Sequence, residues 1–364
     1  MSAAAAPLPP GSTIGIFGGG QLGRMTALAA ARLGYRCHVF TPERDSPCAQ
    51  VCAGETVAAF EDRGALDRFA RRVQVVTSEF ENVSADALRH LAARVPVRPG
   101  PEVLAIAQDR LREKSFCASI GAATTPFRAA HGPEDVKKAL DELGSPVVLK
   151  TARMGYDGKG QAKIAAGDDP ARAWRGMGAT QGIVEAWVPF ECEISVIVAR
   201  GVDGEMLAYP AVENRHKHHI LDETIAPARV AAATAAEAER LARHVAEKLD
   251  VVGLLAVEMF VTKDGHVLVN ELAPRPHNSG HWTIDACLTS QFEQCVRAVC
   301  GLPLGSVERH ADAAMKNLVG DDAASWLEVL RDPEAKLHLY GKAEARPGRK
   351  MGHVTWLKPR RERA

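Results

Sequence analysis

Thr13-Ile14-Gly15-Ile16-Phe17-Gly18-Gly19-Gly20-Gln21-Leu22-Gly23 decides the fold: an apolar run, a glycine turn, and the start of a helical pattern. Over residues 21–33, Leu22, Met25, Ala29 and Leu33 recur at spacings of three and four, giving a helix one apolar face. Further apolar runs follow at 37–41 and, after another helix, at 73–77. Strands alternating with helices mean a parallel sheet covered by helices, so residues 12–108 read as a doubly wound α/β domain. The helical stripe is core.

The glycines satisfy G-x-G-x-x-G between a strand and a helix, where free backbone N–H groups and the helix dipole attract phosphate. A dinucleotide site also wants an acidic residue about 20 positions on, to hold a ribose hydroxyl. The second strand ends in Thr41 instead, and Glu43 serves only with a shift of two residues. A phosphate-bearing or small polar ligand therefore fits better than NAD, with a purely structural turn as the alternative.

Composition narrows the classes. The chain of 364 residues carries 45 Lys plus Arg against 45 Asp plus Glu, which argues against a nucleic-acid groove or an anionic-membrane binder. No stretch approaches the roughly 20 apolar residues of a membrane span. Eight scattered cysteines without a C-x-x-C pair suit a reducing compartment, and residues 1–11 lack the basic start of a signal peptide, so they read as a disordered leader of a cytoplasmic protein. The length implies two or three domains around a cleft.

A helix at 111–120, strands at 146–151 and 183–188 and the glycine-rich 155–160 form a small lobe, placing a linker helix and lid at 109–189. The rest, 190–364, is richer in strand (194–199, 206–209) around a long helix at 231–249 and ends in a basic tail. Lys150 closes a strand five residues before Gly155-Tyr156-Asp157-Gly158-Lys159-Gly160-Gln161, a loop able to lie over a polyphosphate, though not with the spacing of a Walker A loop.

Two strands flank Asp264-Gly265, and a two-residue type I′ turn there sets Glu258 directly opposite Glu271. Opposed carboxylates repel unless a cation lies between them; among apolar neighbours the pair asks for Mg²⁺ and its phosphates. Arg275-Pro276-His277-Asn278-Ser279-Gly280-His281 then packs anion donors into a proline-stiffened loop. His216, His218 and His219 lack a zinc spacing, and one nucleotide contact from them is the better reading. Lys342, Arg346, Arg349 and Lys350 surround a Pro347-Gly348 turn that can fold them onto one anion.

Taken together, the chain resembles the ATP-grasp enzymes, and within them the ligases that carboxylate 5-aminoimidazole ribonucleotide in purine biosynthesis. The resemblance rests on 18–25 (GGGQLGRM), 78–83 (SEFENV), 155–161 (GYDGKGQ), 270–281 (NELAPRPHNSGH), 290–294 (SQFEQ) and 346–353 (RPGRKMGH), with Cys295 where a histidine is expected. It implies an N-terminal biotin-carboxylase-like α/β domain, a lid and an α+β C-terminal ATP-grasp domain, in a homodimer. ATP would touch Arg110, Lys150, residues Gly155, Tyr156, Asp157, Gly158, Lys159, Gly160 and Gln161, the hinge Glu185-Ala186-Trp187-Val188, and Glu193, His216, Asn270 and Glu271. Glu258 and Glu271 would hold Mg²⁺.

By the same resemblance Gln21, Leu22, Glu79, Asn278, Lys342, Arg349 and Lys350 would bind the ribonucleotide, while Arg275, His277 and Lys350 would hold bicarbonate and carboxyphosphate. Tyr156 and Asp157 would reach the acceptor once the lid closes. Competing readings are a nicotinamide oxidoreductase, a non-catalytic nucleotide-binding scaffold, and an ATP-grasp ligase with another acceptor.

Overall fold

The computed structural model describes residues 6–155 and 160–360. The N-terminal unit runs β1 (Thr13–Phe17), α1 (Gln21–Arg32), β2 (Arg36–Thr41), β3 (Gly54–Val57), α2 (Arg63–Ala70), β4 (Val75–Ser78), α3 (Ala85–Ala92) and α4 (Pro101–Ala107). Its strands are parallel in the order β3-β2-β1-β4. Side chains cap two of the helices: Asp62 accepts from the Ala65 N–H and Ser84 from the Ala87 N–H. Helix α1 ends where Gly34, at φ +78°, turns the chain towards β2.

Helix α5 (Arg110–Ser119) leads into β5 (Phe127–Ala130), α6 (Pro133–Leu143), β6 (Val147–Thr151), β7 (Gln161–Ile164), α7 (Pro170–Met177) and β8 (Gly182–Ala186). The four strands form an antiparallel sheet, β5-β8-β6-β7, over a small core of Val136, Ala139, Val147, Leu149, Ile164 and Val184. Lys150 pairs with Gln161 across β6 and β7.

The remaining elements are β9 (Phe190–Arg200), β10 (Met206–Ala208), β11 (Val212–Lys217), β12 (Ile220–Ala226), α8 (Ala232–Lys248), β13 (Gly253–Thr262), β14 (Val267–Ala273), α9 (Thr283–Ala286), α10 (Gln291–Cys300), β15 (Asp312–Val319), α11 (Trp326–Val329), β16 (Ala335–Leu339) and β17 (Lys350–Lys358). Eight strands form one antiparallel sheet, β14-β13-β9-β11-β12-β15-β17-β16, with β10 added to β9. The two-residue period of β9 sorts its faces: Ile194, Val196 and Val198 meet Leu241 and Val245 of α8, whereas Ile197 and Ala199 share a core with Phe292, Val296 and Val299 of α10.

The second core also contains Leu22, Met25 and Ala29 of α1, so α10 is clamped between the large sheet and the N-terminal unit. Each such side chain contributes about 1.5–3 kcal/mol on burial. This layer fixes the first glycine loop relative to β13 and β14. Cys295 belongs to it and is buried, and that burial pushes its thiol up to about 12.

Candidate active site

Glu258 of β13 and Glu271 of β14 are paired residues, but by a route that differs from the simple hairpin. The connection has three residues, Lys263, Asp264 and Gly265: Gly265 donates to Thr262 O at 2.9 Å and takes φ +83°, while Thr262 N–H donates to His266 O at 2.9 Å. A three-residue loop with a left-handed glycine displaces the register by one, giving Met259–Val269 and Phe260–Leu268 pairs. A bulge then makes Asn270 the extra residue of β14 and restores the Glu258–Glu271 pair. The expected type I′ turn is thus wrong and the expected pairing right, because two one-residue shifts cancel.

The bulge also leaves the Asn270 Oδ1 buried without a partner. A buried carbonyl oxygen is costly unless something binds it. Next in sequence to Glu271, it adds a third oxygen to two carboxylates, and donors of this chemistry are the kind hard divalent cations take, so these residues fit Mg²⁺.

An arginine and a histidine flank the pair. Arg110 donates to Glu271 Oε2 at 3.0 Å, and His277 Nε2 lies 2.9 Å from Glu258 Oε1. Burial pushes the Glu258 carboxyl up, but His277, His216 and Arg275 outweigh it and hold it at about 2. Strand β11 brings His216 Nδ1 within 3.2 Å of Glu193, and one ligand atom from each of Glu193, His216 and Glu258 lies within 4.8 Å of the other two. Burial lowers the His216 pKa, yet Glu193 wins and raises it. His218 and His219 sit in the β11–β12 turn with positive φ.

On the lid side, Lys150 Nζ donates to Glu185 at 2.5 Å, and Lys114 lies 3.4 Å from the same buried carboxylate. Burial again opposes ionisation, but the two lysines hold Glu185 at about 2. Glu185 therefore meets lysines through its side chain. In the hinge, Ala186 N–H donates to Pro126 O at 2.9 Å and the Trp187 ring, half exposed, carries Lys163 Nζ 3.8 Å from its centroid; Val188 O accepts from Phe190 N–H at 2.9 Å. Arg110 reaches Gly155 O at 3.5 Å, Gly160 O accepts from Thr151 N–H at 2.8 Å, and Gln161 Nε2 lies 3.4 Å from His219. Tyr156, Asp157, Gly158 and Lys159 lie outside the described residues.

The first glycine loop is partly occupied by the chain itself. The Glu79 carboxylate accepts from Gly20 N–H at 2.5 Å and Gly23 N–H at 3.1 Å, acting as the cap that α1 lacks. It answers the helix dipole, so the loop is not the open phosphate cradle its sequence suggests. Leu22 packs in the core. Burial raises the Glu79 pKa in spite of both hydrogen bonds.

The basic turn comes to the same place. Gln50 Nε2 donates to Gly341 O at 3.0 Å, tying residues 340–350 to the N-terminal unit and bringing the charge of Lys342 to bear on Glu79. Lys342 donates to Lys350 O at 2.7 Å, whereas Arg349 Nη1 donates to Glu344 O at 3.0 Å and Arg346 is bound to Glu344. Only part of the run therefore converges. Asn278 is buried and its amide exchanges hydrogen bonds of 2.9 and 2.6 Å with Asn317, which fixes its side chain and leaves one N–H and one lone pair of the amide outside that exchange.

Sequence reasoning missed Lys114, Glu113 and Glu81. Glu113 accepts from the Leu272 N–H and so steadies the strand holding Glu271. Glu81 pairs with Arg275: burial would raise its pKa, but the guanidinium lowers it. The only signal for Glu81 was its place in the E-x-E segment beside Glu79.

A lid sheet over a central antiparallel sheet, with lysines facing the lid and oxygen donors on the hairpin below, defines an ATP-grasp enzyme, an ATP-dependent ligase. The ATP-grasp domain profile matches residues 115–292, the ribonucleotide synthetase preATP-grasp domain 12–108, and the phosphoribosylaminoimidazole carboxylase C-terminal domain 313–364. The chain is 48% identical to the N5-carboxyaminoimidazole ribonucleotide synthase of Brucella melitensis, across 97% of this chain and 98% of that one. It is 46% identical to the bifunctional purine synthesis protein purC/E of Dictyostelium discoideum over 96% of this chain, and spans 37% of that longer protein.

Among solved structures, the ADP complex of an N5-carboxyaminoimidazole ribonucleotide synthetase superposes with a TM-score of 0.95 at 45% identity, covering 98% of this chain and 95% of that one. The Aspergillus clavatus synthase in complex with ADP and 5-aminoimidazole ribonucleotide gives 0.90 at 34% identity, covering 96% and 94%. The chain belongs to the N5-carboxyaminoimidazole ribonucleotide synthase family. Among the described residues no helix is long and apolar enough to cross a membrane.

Proposed function

We propose that this chain carboxylates the exocyclic amine of 5-aminoimidazole ribonucleotide, using ATP and bicarbonate and releasing ADP and phosphate, in purine biosynthesis. The observation that carries the reading is the continuity of the site. Glu271 and Glu258 lead through Arg110 to the lid and through His277 to the Arg275–Glu81 pair, next to the Glu79 loop. One cleft thus joins a polyphosphate end to an acceptor end.

In this mechanism a bicarbonate oxygen attacks the γ-phosphorus, and the bond to the bridging oxygen breaks with ADP leaving. The acceptor amine then attacks the carboxyl carbon of carboxyphosphate, loses a proton, and expels phosphate. Mg²⁺ held by Glu258, Glu271 and Asn270 would neutralise phosphate charge. Lys150, Arg110, Gly155 to Gln161, the hinge 185–188, Glu193 and His216 would position ATP; Arg275, His277 and Lys350 would hold bicarbonate and the intermediate. Gln21, Leu22, Glu79, Lys342, Arg349 and Lys350 would receive the ribonucleotide. Closure of the 155–160 loop would exclude water from a readily hydrolysed intermediate.

A cytoplasmic homodimer fits the family. The test is ADP release from MgATP and bicarbonate with and without 5-aminoimidazole ribonucleotide. Strong dependence on that acceptor supports the reading, and turnover indifferent to it would transfer the assignment to another acceptor.

A further inference from the structure

Behind His277 runs a chain of buried hydrogen bonds that the reaction scheme does not use. Thr224 Oγ1 donates to Asn214 Oδ1 at 3.1 Å, and Asn214 Nδ2 donates to Ser195 Oγ at 2.9 Å. Ser195 Oγ lies 2.7 Å from Ser279 Oγ, which lies 2.8 Å from His277 Nδ1. Ser195, Ser279 and Thr224 are fully buried and Asn214 nearly so.

The direction of this chain is decided at its inner end. The backbone N–H of Ser279 points at His277 Nδ1, 3.3 Å away. An amide N–H can only donate, so Nδ1 must present its lone pair and cannot carry a proton. The Ser279 hydroxyl then donates to the same nitrogen, accepts from Ser195, and Ser195 accepts from Asn214. Every link runs one way. The proton of the imidazole is left on Nε2, 2.9 Å from Glu258. The ring's own backbone is pinned as well: His277 N–H donates to Gln291 Oε1 at 2.9 Å and His277 O accepts from Gln291 Nε2 at 2.7 Å.

We infer that Ser279, fed by Ser195 and Asn214, is a positioning residue that fixes His277 as the tautomer protonated on Nε2, making it the hydrogen-bond donor to Glu258. This rests on the carboxylation reading for its consequence. An N–H donated to the Glu258 carboxylate holds that group in place at the reacting end of the site, whereas the other tautomer would set a lone pair against it. Because the neighbours set the orientation in advance, no reorganisation is needed during the reaction.

The test uses the full chain labelled with ¹⁵N-histidine, at a pH where histidines are neutral, with long-range ¹H–¹⁵N correlation and a His277→Gln variant to assign the ring. The expected spectrum has a pyridine-like Nδ1 and a protonated Nε2. Ser279→Ala should mix the tautomers and lower kcat about 10- to 100-fold with the KM for ATP nearly unchanged. Asn214→Ala, on a different strand, should act in the same direction by several-fold, and stands in should Ser279→Ala not fold.

A wild-type ring protonated on Nδ1, or variants with the wild-type spectrum and kcat, would overturn the inference. Wild-type protein without acceptor-dependent ADP release would defeat the carboxylation reading instead, while the spectra would still decide the tautomer.

Discussion

Glu258 faces Glu271 because Asn270 is an extra residue in β14. The bulge corrects the shift introduced by the three-residue turn, and the extra residue carries a buried side-chain oxygen without a partner. The pair is thus a built feature of the hairpin.

Removing one member should stop the chemistry and spare the fold. Glu271 is one-third exposed, and its side-chain partner is Arg110 at the cleft. Glu271→Gln is expected to lower ADP release by at least about 100-fold, of the order lost with one key transition-state contact. Circular dichroism and melting temperature should stay close to wild type, and near-normal ATPase would remove this residue from the metal site.

The acceptor pocket can be disturbed without touching the nucleotide side. Gly341 has φ +72°, and a Cβ there would collide with Gln50 Oε1 and crowd Arg24. Gly341→Ala should loosen the loop bearing Lys342, and Lys342→Ala should remove its charge. Both should raise the KM for the ribonucleotide about tenfold or more, the weight of a charged hydrogen bond, with the KM for ATP little altered. Steady-state kinetics varying each substrate in turn measures this.

Lys114 is the strongest stability prediction. It is fully buried, 3.4 Å from Glu185, and donates to Val269 O at 3.1 Å. Lys114→Met leaves Glu185 short of one counter-charge and should cost about 3 kcal/mol, the scale for breaking a buried pair. Urea unfolding measures it, and an unchanged midpoint would show that Lys150 suffices alone.

Glu185 also sets an acid limit. Its carboxyl is depressed in the folded chain to about 2, burial notwithstanding, by Lys150 and Lys114. Its stabilising contribution is therefore complete above the unfolded value of about 4.3 and is lost as pH falls through about 2. Melting temperature should fall over that window, and Glu185→Gln should flatten the slope while lowering stability at neutral pH. A variant with the wild-type slope would contradict the pairing.

Much of this was readable along the chain. The β1–glycine–α1 unit and the strand ending at Lys150 follow from local periodicity, which sequence carries directly, whereas the facing carboxylates were found through a turn that is wrong by one residue and a bulge that left no signal. What escaped was contact between distant segments. Glu79 caps glycines 56 and 59 positions away, and nothing local shows that a carboxylate answers that helix. Lys114 looks like one more charge on a helix; only the fold brings it to Glu185. That Asn317 of β15 holds the Asn278 amide is equally invisible along the chain.

In the proposed mechanism bicarbonate is activated on this site by phosphorylation. The direct measurement is turnover with ¹⁸O-labelled bicarbonate, MgATP and 5-aminoimidazole ribonucleotide, quenched before the label exchanges with water, followed by mass analysis of the phosphate. Attack of a bicarbonate oxygen on the γ-phosphorus predicts one ¹⁸O in each phosphate released. Phosphate formed at the normal rate without label would mean that water, not bicarbonate, is the nucleophile, and would contradict the account.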